Sequence, residues 1–350
     1  MKALVLSEIG KIEYKEVKDP VLKSGECLIR PMAFGICGSD IPRIYKTGAH
    51  VHPIIPGHEF SGIVVETADG SSYKSGDRVA VFPLIPCKKC SQCLEKKYEM
   101  CENYLYLGSR CDGGFAELAA VPEANLIRIP ENVSFEAAAM TEPMAVAVHA
   151  ARRATVSKDK DSTIFVQGMG TVGLFTVIVL KTLEFNNIYV AGNKQFQKNS
   201  VLSLGVDADH YIDASVENVK EALDIKTGNR GADIVFECVG KSESYEACTS
   251  VCAPSGVLML VGNPTSNMTL SRNVYWNILR HQLSVFGTWN SSFTGEENDD
   301  WHFVMKLLAE GKTDTEKLIT HRFELKDLIS GLEIMRDKKE DYIKVMGVSE

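Results

Sequence analysis

Residues 162–180, Ser-Thr-Ile-Phe-Val-Gln-Gly-Met-Gly-Thr-Val-Gly-Leu-Phe-Thr-Val-Ile-Val-Leu, limit the possible folds more than any other stretch of the chain. A short apolar run ends in Gly168-Met169-Gly170-Thr171-Val172-Gly173, and a long apolar segment follows directly. Gly-x-Gly-x-x-Gly is a weak signal alone, but between a strand and a helix it stands in the context of a dinucleotide-binding turn. Gly168 makes the tight turn, Gly170 lets the backbone approach a pyrophosphate, and Gly173 lets helix and strand pack closely. The helix start, near Thr171 and Val172, then offers unpaired amides and a positive dipole end to the phosphates. A glycine-rich turn that binds no nucleotide is the alternative. The following segments continue the pattern: NNIYVAG as a strand, QFQKNSVLSLG as a helix, then GADIVFECVG and GVLMLVG as buried strands separated by helical stretches. Strands alternating with helices predict an α/β fold with a doubly wound parallel sheet and right-handed crossovers.

The second strand of this unit bears on cofactor choice. An NAD site usually carries an acid about 20 residues on, which accepts from the adenosine ribose 2′-OH. Here the strand ends Val190-Ala191-Gly192-Asn193-Lys194, without one. An acid would repel a 2′-phosphate, whereas a cation and an amide can hold it. Gly192 is expected to leave space and Asn193 and Lys194 to supply donors, which predicts NADP(H) in preference to NAD(H). A merely solvated Lys194, with NAD(H) as the cofactor, is the alternative.

Before about residue 150 the pattern differs: ECLIRPMAFGI and FSGIVVETA alternate like strands, and Gly or Pro marks the breaks. Beyond about residue 288, WHFVMKLLAEGK and LKDLISGLEIMRDKK read as amphipathic helices. A length of 350 residues suggests two domains, and a net charge of −8 gives no general attraction to nucleic acid or anionic membranes. No apolar run is long enough to cross a bilayer, and the opening MKALVLSEIGKIEYKEV alternates like a strand rather than a secretion segment. These features point to the cytoplasm.

Four of the ten cysteines crowd into Cys87-x2-Cys90-x2-Cys93-x7-Cys101. In a reducing compartment such clustering suggests metal ligands rather than disulfides. Four thiolates can close a tetrahedron around zinc and leave no position for substrate, so this site is expected to be structural. An iron–sulfur cluster is the alternative. The flanking Lys88, Lys89, Lys96 and Lys97 make an apolar core of free thiols improbable.

Three further segments carry chemistry: Gly35-Ile36-Cys37-Gly38-Ser39-Asp40, Gly57-His58-Glu59 and Thr141-Glu142-Pro143. A catalytic zinc needs three protein ligands and one exchangeable position, and a thiolate, an imidazole and a carboxylate can meet that need. Singly, Cys37 reads as a small buried hydrophobe, His58 as a turn residue and Glu142 as a helix-start acid. Together they suggest a site.

With GICGSD, GHEFSG, the four-cysteine lobe, DGGFAE, TEP and VQGMGTVG in order, the chain resembles the zinc-containing medium-chain dehydrogenase/reductases over essentially its whole length, and most of all their polyol dehydrogenases. The resemblance implies a β-rich, GroES-like catalytic domain formed by residues 1–149 and 288–350 around an inserted Rossmann domain at 150–287. It implies a homodimer or homotetramer. It makes Cys37, His58 and Glu142 ligands of a catalytic zinc, with Glu59 joining directly or through water as coordination changes. Ser39 becomes the hydroxyl beside the substrate oxygen, and Asp40 the acid that orients the ligand histidine. Gly192-Asn193-Lys194 is similar to the Gly-Ser-Arg type of segment in NADP-dependent members. Many alcohol dehydrogenases carry a proton-relaying histidine three residues after the serine, but here Pro42 stands there. The proton exit must therefore differ, and a water chain involving Glu59 is the expectation.

The implied reaction moves a hydride between the nicotinamide and a secondary hydroxyl carbon of a sugar alcohol, with zinc as Lewis acid. Arg43, Lys46, His50 and Arg110 flank the expected site and could hold a phosphate, which favours a polyol phosphate such as galactitol 1-phosphate. An unphosphorylated polyol or a simple secondary alcohol is the alternative. Rival classes are a zinc-binding nucleic-acid module, a nucleotide-binding relative without activity, and a zinc-independent reductase of the same fold.

Overall fold

The chain begins in an antiparallel hairpin of β1 (Lys2–Glu8) and β2 (Lys11–Glu16), in which Leu4 faces Tyr14. This is a computed structural model, and it describes residues 1–156 and 158–349. The long strand β3 (Glu26–Ile36) is buried along most of its length, because it has neighbours on both sides. Pro31 donates no ladder hydrogen bond, and the β3 register against β4 (Glu59–Thr67) shifts between Pro31 and Ala33. Between these strands lies the short helix α1 (Asp40–Pro42), which runs on into a π turn over Arg43–Thr47.

Strands β5 (Arg78–Val81), β6 (Leu84–Ile85), β7 (Leu105–Tyr106), β8 (Ala119–Pro122) and β9 (Leu126–Arg128) follow. A one-turn helix, α2 (Ser91–Leu94), sits in the cysteine lobe between β6 and β7. Next come α3 (Phe135–Ala139), whose start is capped by the Ser134 hydroxyl accepting from the Ala137 amide, and α4 (Thr141–Ala154). This last helix begins at Thr141, ahead of Pro143, because proline is tolerated in a first turn, where its missing N–H has no partner to lose.

The inserted segment alternates as expected. Its elements are β10 (Ile164–Gln167), α5 (Thr171–Thr182), β11 (Ile188–Gly192), α6 (Gln195–Ser203), β12 (Tyr211–Asp213), α7 (Val219–Thr227), β13 (Ala232–Glu237), α8 (Ser242–Val251), β14 (Cys252–Leu260), α9 (Arg272–Arg280) and β15 (Ser284–Gly287). All pair in parallel, in the order β12-β11-β10-β13-β14-β15. This is the doubly wound Rossmann order, whose direction reverses between β10 and β13.

The chain then returns to its first half with α10 (Asp300–Ala309), β16 (Ile319–Phe323), α11 (Leu328–Asp337) and β17 (Lys344–Val348). β17 lies antiparallel to β3, with Val345 opposite Ile36, and completes a seven-stranded sheet ordered β16-β17-β3-β4-β5-β9, with β8 also on β3. Its core joins residues from the two ends of the chain: Leu4, Ile29, Phe34, Phe60 and Phe115 pack with Leu328, Leu332 and Val345. By contact, the chain divides into Met1–Ala145 with Ser291–Glu350, and Val146–Asn290. Among the described residues, no helix is long and apolar enough to cross a membrane.

Candidate active site

His58 reaches its place through a turn that only glycines allow. Gly57 has φ +96°, and a Cβ there would meet the Phe115 ring at 2.4 Å. Gly113 packs so closely that its Cβ would lie 2.0 Å from the Gly57 carbonyl oxygen, and the Gly114 amide donates to that oxygen at 2.9 Å. The DGGFAE segment therefore holds the GHE turn in shape. Cys37 follows the end of β3, Ser39 precedes α1, and Asp40 opens it.

Ligand atoms of Cys37, His58 and Glu59 lie within 4.8 Å of one another. His58 and Glu59 are buried, and Cys37 is half-buried. The Ser39 hydroxyl donates to Cys37 Sγ at 3.2 Å. Asp40 is fully buried and accepts from the Cys37 amide at 3.0 Å and from Arg43 Nη1 at 2.6 Å. Its Oδ1 stands 3.4 Å from His58 Nδ1, at ion-pair distance but without the alignment of a hydrogen bond. Burial pushes the Asp40 carboxyl up, but the facing His58 ring, Arg43 and the Cys37 amide outweigh it and hold the pKa below its ordinary value. A soft thiolate, an imidazole and a carboxylate drawn together in a dry pocket, with an acid behind the imidazole, form a donor set suited to zinc.

Glu142, in the first turn of α4, lies outside that trio. Its Oε1 accepts from the Tyr106 hydroxyl at 3.2 Å, and the Tyr106 ring lies 5.6 Å from that of His58. Burial pushes its carboxyl up to about 7, the nearby His58 opposes this, and Glu59 adds to it, so Glu142 shares the electrostatic environment of the trio. Sequence reasoning missed Lys344. This lysine, 2% exposed at the start of β17, donates to the Ile36 carbonyl at 3.1 Å and forms an ion pair with Glu59 Oε2. Gly35 makes room for the pair, since a Cβ there would lie 2.2 Å from Glu59 Oε2 and 2.6 Å from Lys344 Cε. The available signal was a lysine inside the apolar run Ile343-Lys344-Val345-Met346, where a buried charge needs a partner. Tyr106 carried no such signal.

The lobe cysteines also converge. The four sulfurs lie within 4.8 Å of one another, with Cys87–Cys93 and Cys90–Cys101 both at 3.9 Å. A tetrahedron with zinc–sulfur bonds of about 2.3 Å has edges of about 3.8 Å, so these sulfurs fit one ion. An iron–sulfur cluster places several irons and sulfides between its thiolates and needs them farther apart, which sets that alternative aside. The Lys89 and Cys90 amides donate to Cys87 Sγ at 3.5 and 3.4 Å and pull its thiol down to about 6, whereas burial pushes the Cys93 thiol up to about 12. All ten cysteines are free.

Of the basic residues named above, three come together. The His50 pKa is lowered by partial burial and by the charges of Arg110 and Arg43. Arg43 Nη2 also lies 3.5 Å from the Ser39 hydroxyl, and Arg110 stacks 4.6 Å over the Tyr104 ring. Buried Arg110 Nε finds no acceptor among the described residues. Lys46 is exposed and has no ion pair among the described residues.

In the other unit, Gly168 has φ +96°, a Cβ on Gly173 would lie 1.9 Å from the Gly168 carbonyl oxygen, and beside Gly170 there is open space. Thr171 and Val172 follow Gly170 as the first residues of α5. These are the three distinct glycine roles of a dinucleotide turn. One expectation needs correction: Gly192 leaves no space. A Cβ there would meet the Tyr211 hydroxyl at 2.6 Å and Gln197 Oε1 at 3.0 Å, so packing against the neighbouring strand requires this glycine. Asn193 and Lys194 are exposed, and the Lys194 ammonium lies 5.5 Å from the Phe196 ring centre.

Residues 23–131 match the alcohol dehydrogenase GroES-like domain family, and residues 171–310 match the zinc-binding dehydrogenase family. The galactitol 1-phosphate 5-dehydrogenase of Escherichia coli K12 is 31% identical over 327 residues, 92% of either chain. The crystal structure of galactitol-1-phosphate dehydrogenase from Escherichia coli superposes with a TM-score of 0.91 at 29% identity, covering 100% of both chains. The sorbitol dehydrogenase of Bacillus subtilis is 30% identical over 356 residues, 99% of this chain and 96% of its own.

Proposed function

The chain belongs to the zinc-dependent alcohol and polyol dehydrogenases, and from that premise we propose that it moves a hydride between NADP(H), in preference to NAD(H), and a secondary hydroxyl carbon of a polyol phosphate. The observation that carries the phosphate is the buried Arg110 Nε, which has no acceptor among the described residues, with His50 feeling the charges of both Arg110 and Arg43. A phosphate would supply that acceptor. The unphosphorylated polyol is the second reading, favoured by the likeness to a sorbitol dehydrogenase.

Cys37, His58, Glu142 and the exchanging Glu59 would hold the catalytic zinc, and the four lobe cysteines a structural one. When bound, zinc supplies a Lewis acid that eases loss of the hydroxyl proton, and the nicotinamide supplies the hydride acceptor. Ser39 takes that proton, its hydroxyl steered by Arg43. Asp40 keeps the His58 ring oriented. Pro42 carries no proton onward, so the exit runs by water past Glu59, which is paired with Lys344. On this route Glu59→Gln slows proton transfer more than it lowers zinc content, and equal loss of both would make Glu59 a plain ligand. Asn193 and Lys194 would hold the 2′-phosphate of NADP(H).

Ten free cysteines suit the reducing cytoplasm. The parallel sheet ends in β15, an edge strand whose Phe286 is 41% exposed, and the neighbouring exposed Tyr275, Leu279 and Trp289 add apolar surface. An unpaired edge of this kind suits pairing with a second copy in a homodimer or homotetramer, and a monomeric mass by light scattering would count against it. No nucleic acid or membrane is part of this reading.

The deciding experiment is steady-state kinetics with galactitol 1-phosphate and galactitol, each with NADP⁺ and NAD⁺. The highest kcat/KM is expected for the phosphate with NADP⁺. Arg110→Gln removes charge-assisted hydrogen bonds of about 1.5–3 kcal/mol and should raise KM for the phosphorylated substrate roughly 10- to 100-fold, leaving the parent polyol unaffected. Equal KM changes for both would sink the phosphate reading.

A further inference from the structure

Tyr106 has no part in the steps above, yet its place beside the trio is set from several directions. It is the last residue of β7, opposite Leu84 of β6. Its carbonyl accepts from the Arg110 amide at 2.8 Å and the Ser109 amide at 3.2 Å, in the turn that follows. Gly108, in that turn, has φ +78° and packs against the turn carrying His58, where a Cβ on it would lie 2.7 Å from the Gly57 nitrogen. The Tyr106 ring lies 5.6 Å from the His58 ring, tilted by 60°, and 6.3 Å from the Tyr104 ring, edge-on at 79°. Backbone and ring contacts together direct the phenol toward Glu142.

The Glu142 carboxylate is 7% exposed, and its Oε1 accepts from the Tyr106 hydroxyl at 3.2 Å. Glu59, the neighbouring acid, is restrained in a similar manner, with its Oε2 paired to Lys344. In each carboxylate, one oxygen is thus already engaged by a donor of the protein. The distinction matters at a metal, because a carboxylate can bind through one oxygen or through both. A catalytic zinc keeps three protein ligands and one exchangeable position. A second oxygen from Glu142 would take that position.

We propose that Tyr106 is a positioning residue that limits Glu142 to one metal contact. The inference rests on the reading of Cys37, His58 and Glu142 as ligands of a catalytic zinc. The phenol holds Oε1, Oε2 is the oxygen that a metal meets, and the remaining position stays open for the substrate hydroxyl. Phenylalanine in place of Tyr106 would keep a ring beside His58 and release the carboxylate to turn both oxygens toward the ion. Burial favours that turn, because a carboxylate oxygen that loses its donor in a dry pocket is costly until it finds another partner.

The test uses the whole enzyme with zinc in the lobe and cobalt(II) in the catalytic site. The visible bands of cobalt(II) are strong in a tetrahedral centre and weaken as ligands are added. Azide, which binds a metal through one atom, probes the open position. Tyr106→Phe is expected to weaken the cobalt bands and to raise the azide dissociation constant about tenfold, the worth of a hydrogen bond to a charged acceptor, while cobalt stays bound. In a Glu142→Ala background the same substitution should change neither reading. A general loosening of the pocket would weaken azide binding by the same factor in both backgrounds, and that outcome overturns the proposal. So does an unchanged cobalt spectrum or azide constant in Tyr106→Phe. Loss of cobalt from that variant overturns it as well, since an added oxygen should hold the ion at least as firmly. Wild-type enzyme that takes up no metal beyond the four-cysteine lobe would instead sink the catalytic-zinc reading itself.

Discussion

The two cysteine-bearing clusters of the first unit are built in opposite ways. The lobe takes four identical donors from residues 87–101, and the exposed Lys88, Lys89, Lys96 and Lys97 surround them. The Cys37 pocket takes a thiol from one segment and an imidazole and a carboxylate from another, and buries most of them. Four like thiolates can saturate an ion and pin a loop, and their placement depends on little besides that loop. A mixed set needs the whole sheet to be folded first. It can leave a coordination position open and can hold neighbouring acids in reserve.

The sharpest way to break this contrast is to remove one donor from each cluster. Cys37→Ala or His58→Ala should lower kcat/KM by about a thousandfold or more, since a Lewis acid contributes several kcal/mol to the transition state. Zinc per chain, measured by elemental analysis, should fall from two to one with little change in melting temperature. Full activity in either variant would end the site assignment.

Lys344→Met comes next. It leaves Glu59 buried without its cation, which costs about 3–5 kcal/mol. A large fall in melting temperature is expected, with substantial recovery in the double variant Lys344→Met, Glu59→Gln. If the double variant is no more stable than the single, the pair is not the reason for the lysine.

Cys90→Ala should have the smallest effect on chemistry. It should remove the other zinc and lower the melting temperature by several degrees, while the folded fraction keeps most of its kcat. Loss of turnover equal to that of His58→Ala would mean that the two clusters do not differ in kind.

Much of this was legible in the order of residues. The alternation from residue 162 onward declares the parallel sheet, because strands buried on both faces leave short apolar runs between helices. The lobe was legible because its ligands are neighbours in sequence. Cys37 and His58 were legible through the short segments GICGSD and GHE that carry them, and Gly35 and Gly57 are each required there by a close approach. Lys344 was hidden because its partner lies 285 residues away and strand pairing, not local pattern, joins them. Gly192 was misread for a related reason: the group occupying its free side, the Tyr211 hydroxyl, comes from the next strand.

The pairing of β17 with β3 has a consequence for synthesis. A ribosome must make the entire nucleotide unit before the strand that borders β3 exists, and with it the ammonium that offsets Glu59. The early segment can form its hairpin and its cysteine lobe during translation. Its sheet stays open on one side, and its acidic pocket unbalanced, until the late strand docks. Assembly of the chemistry is thereby deferred to one of the last steps of chain growth.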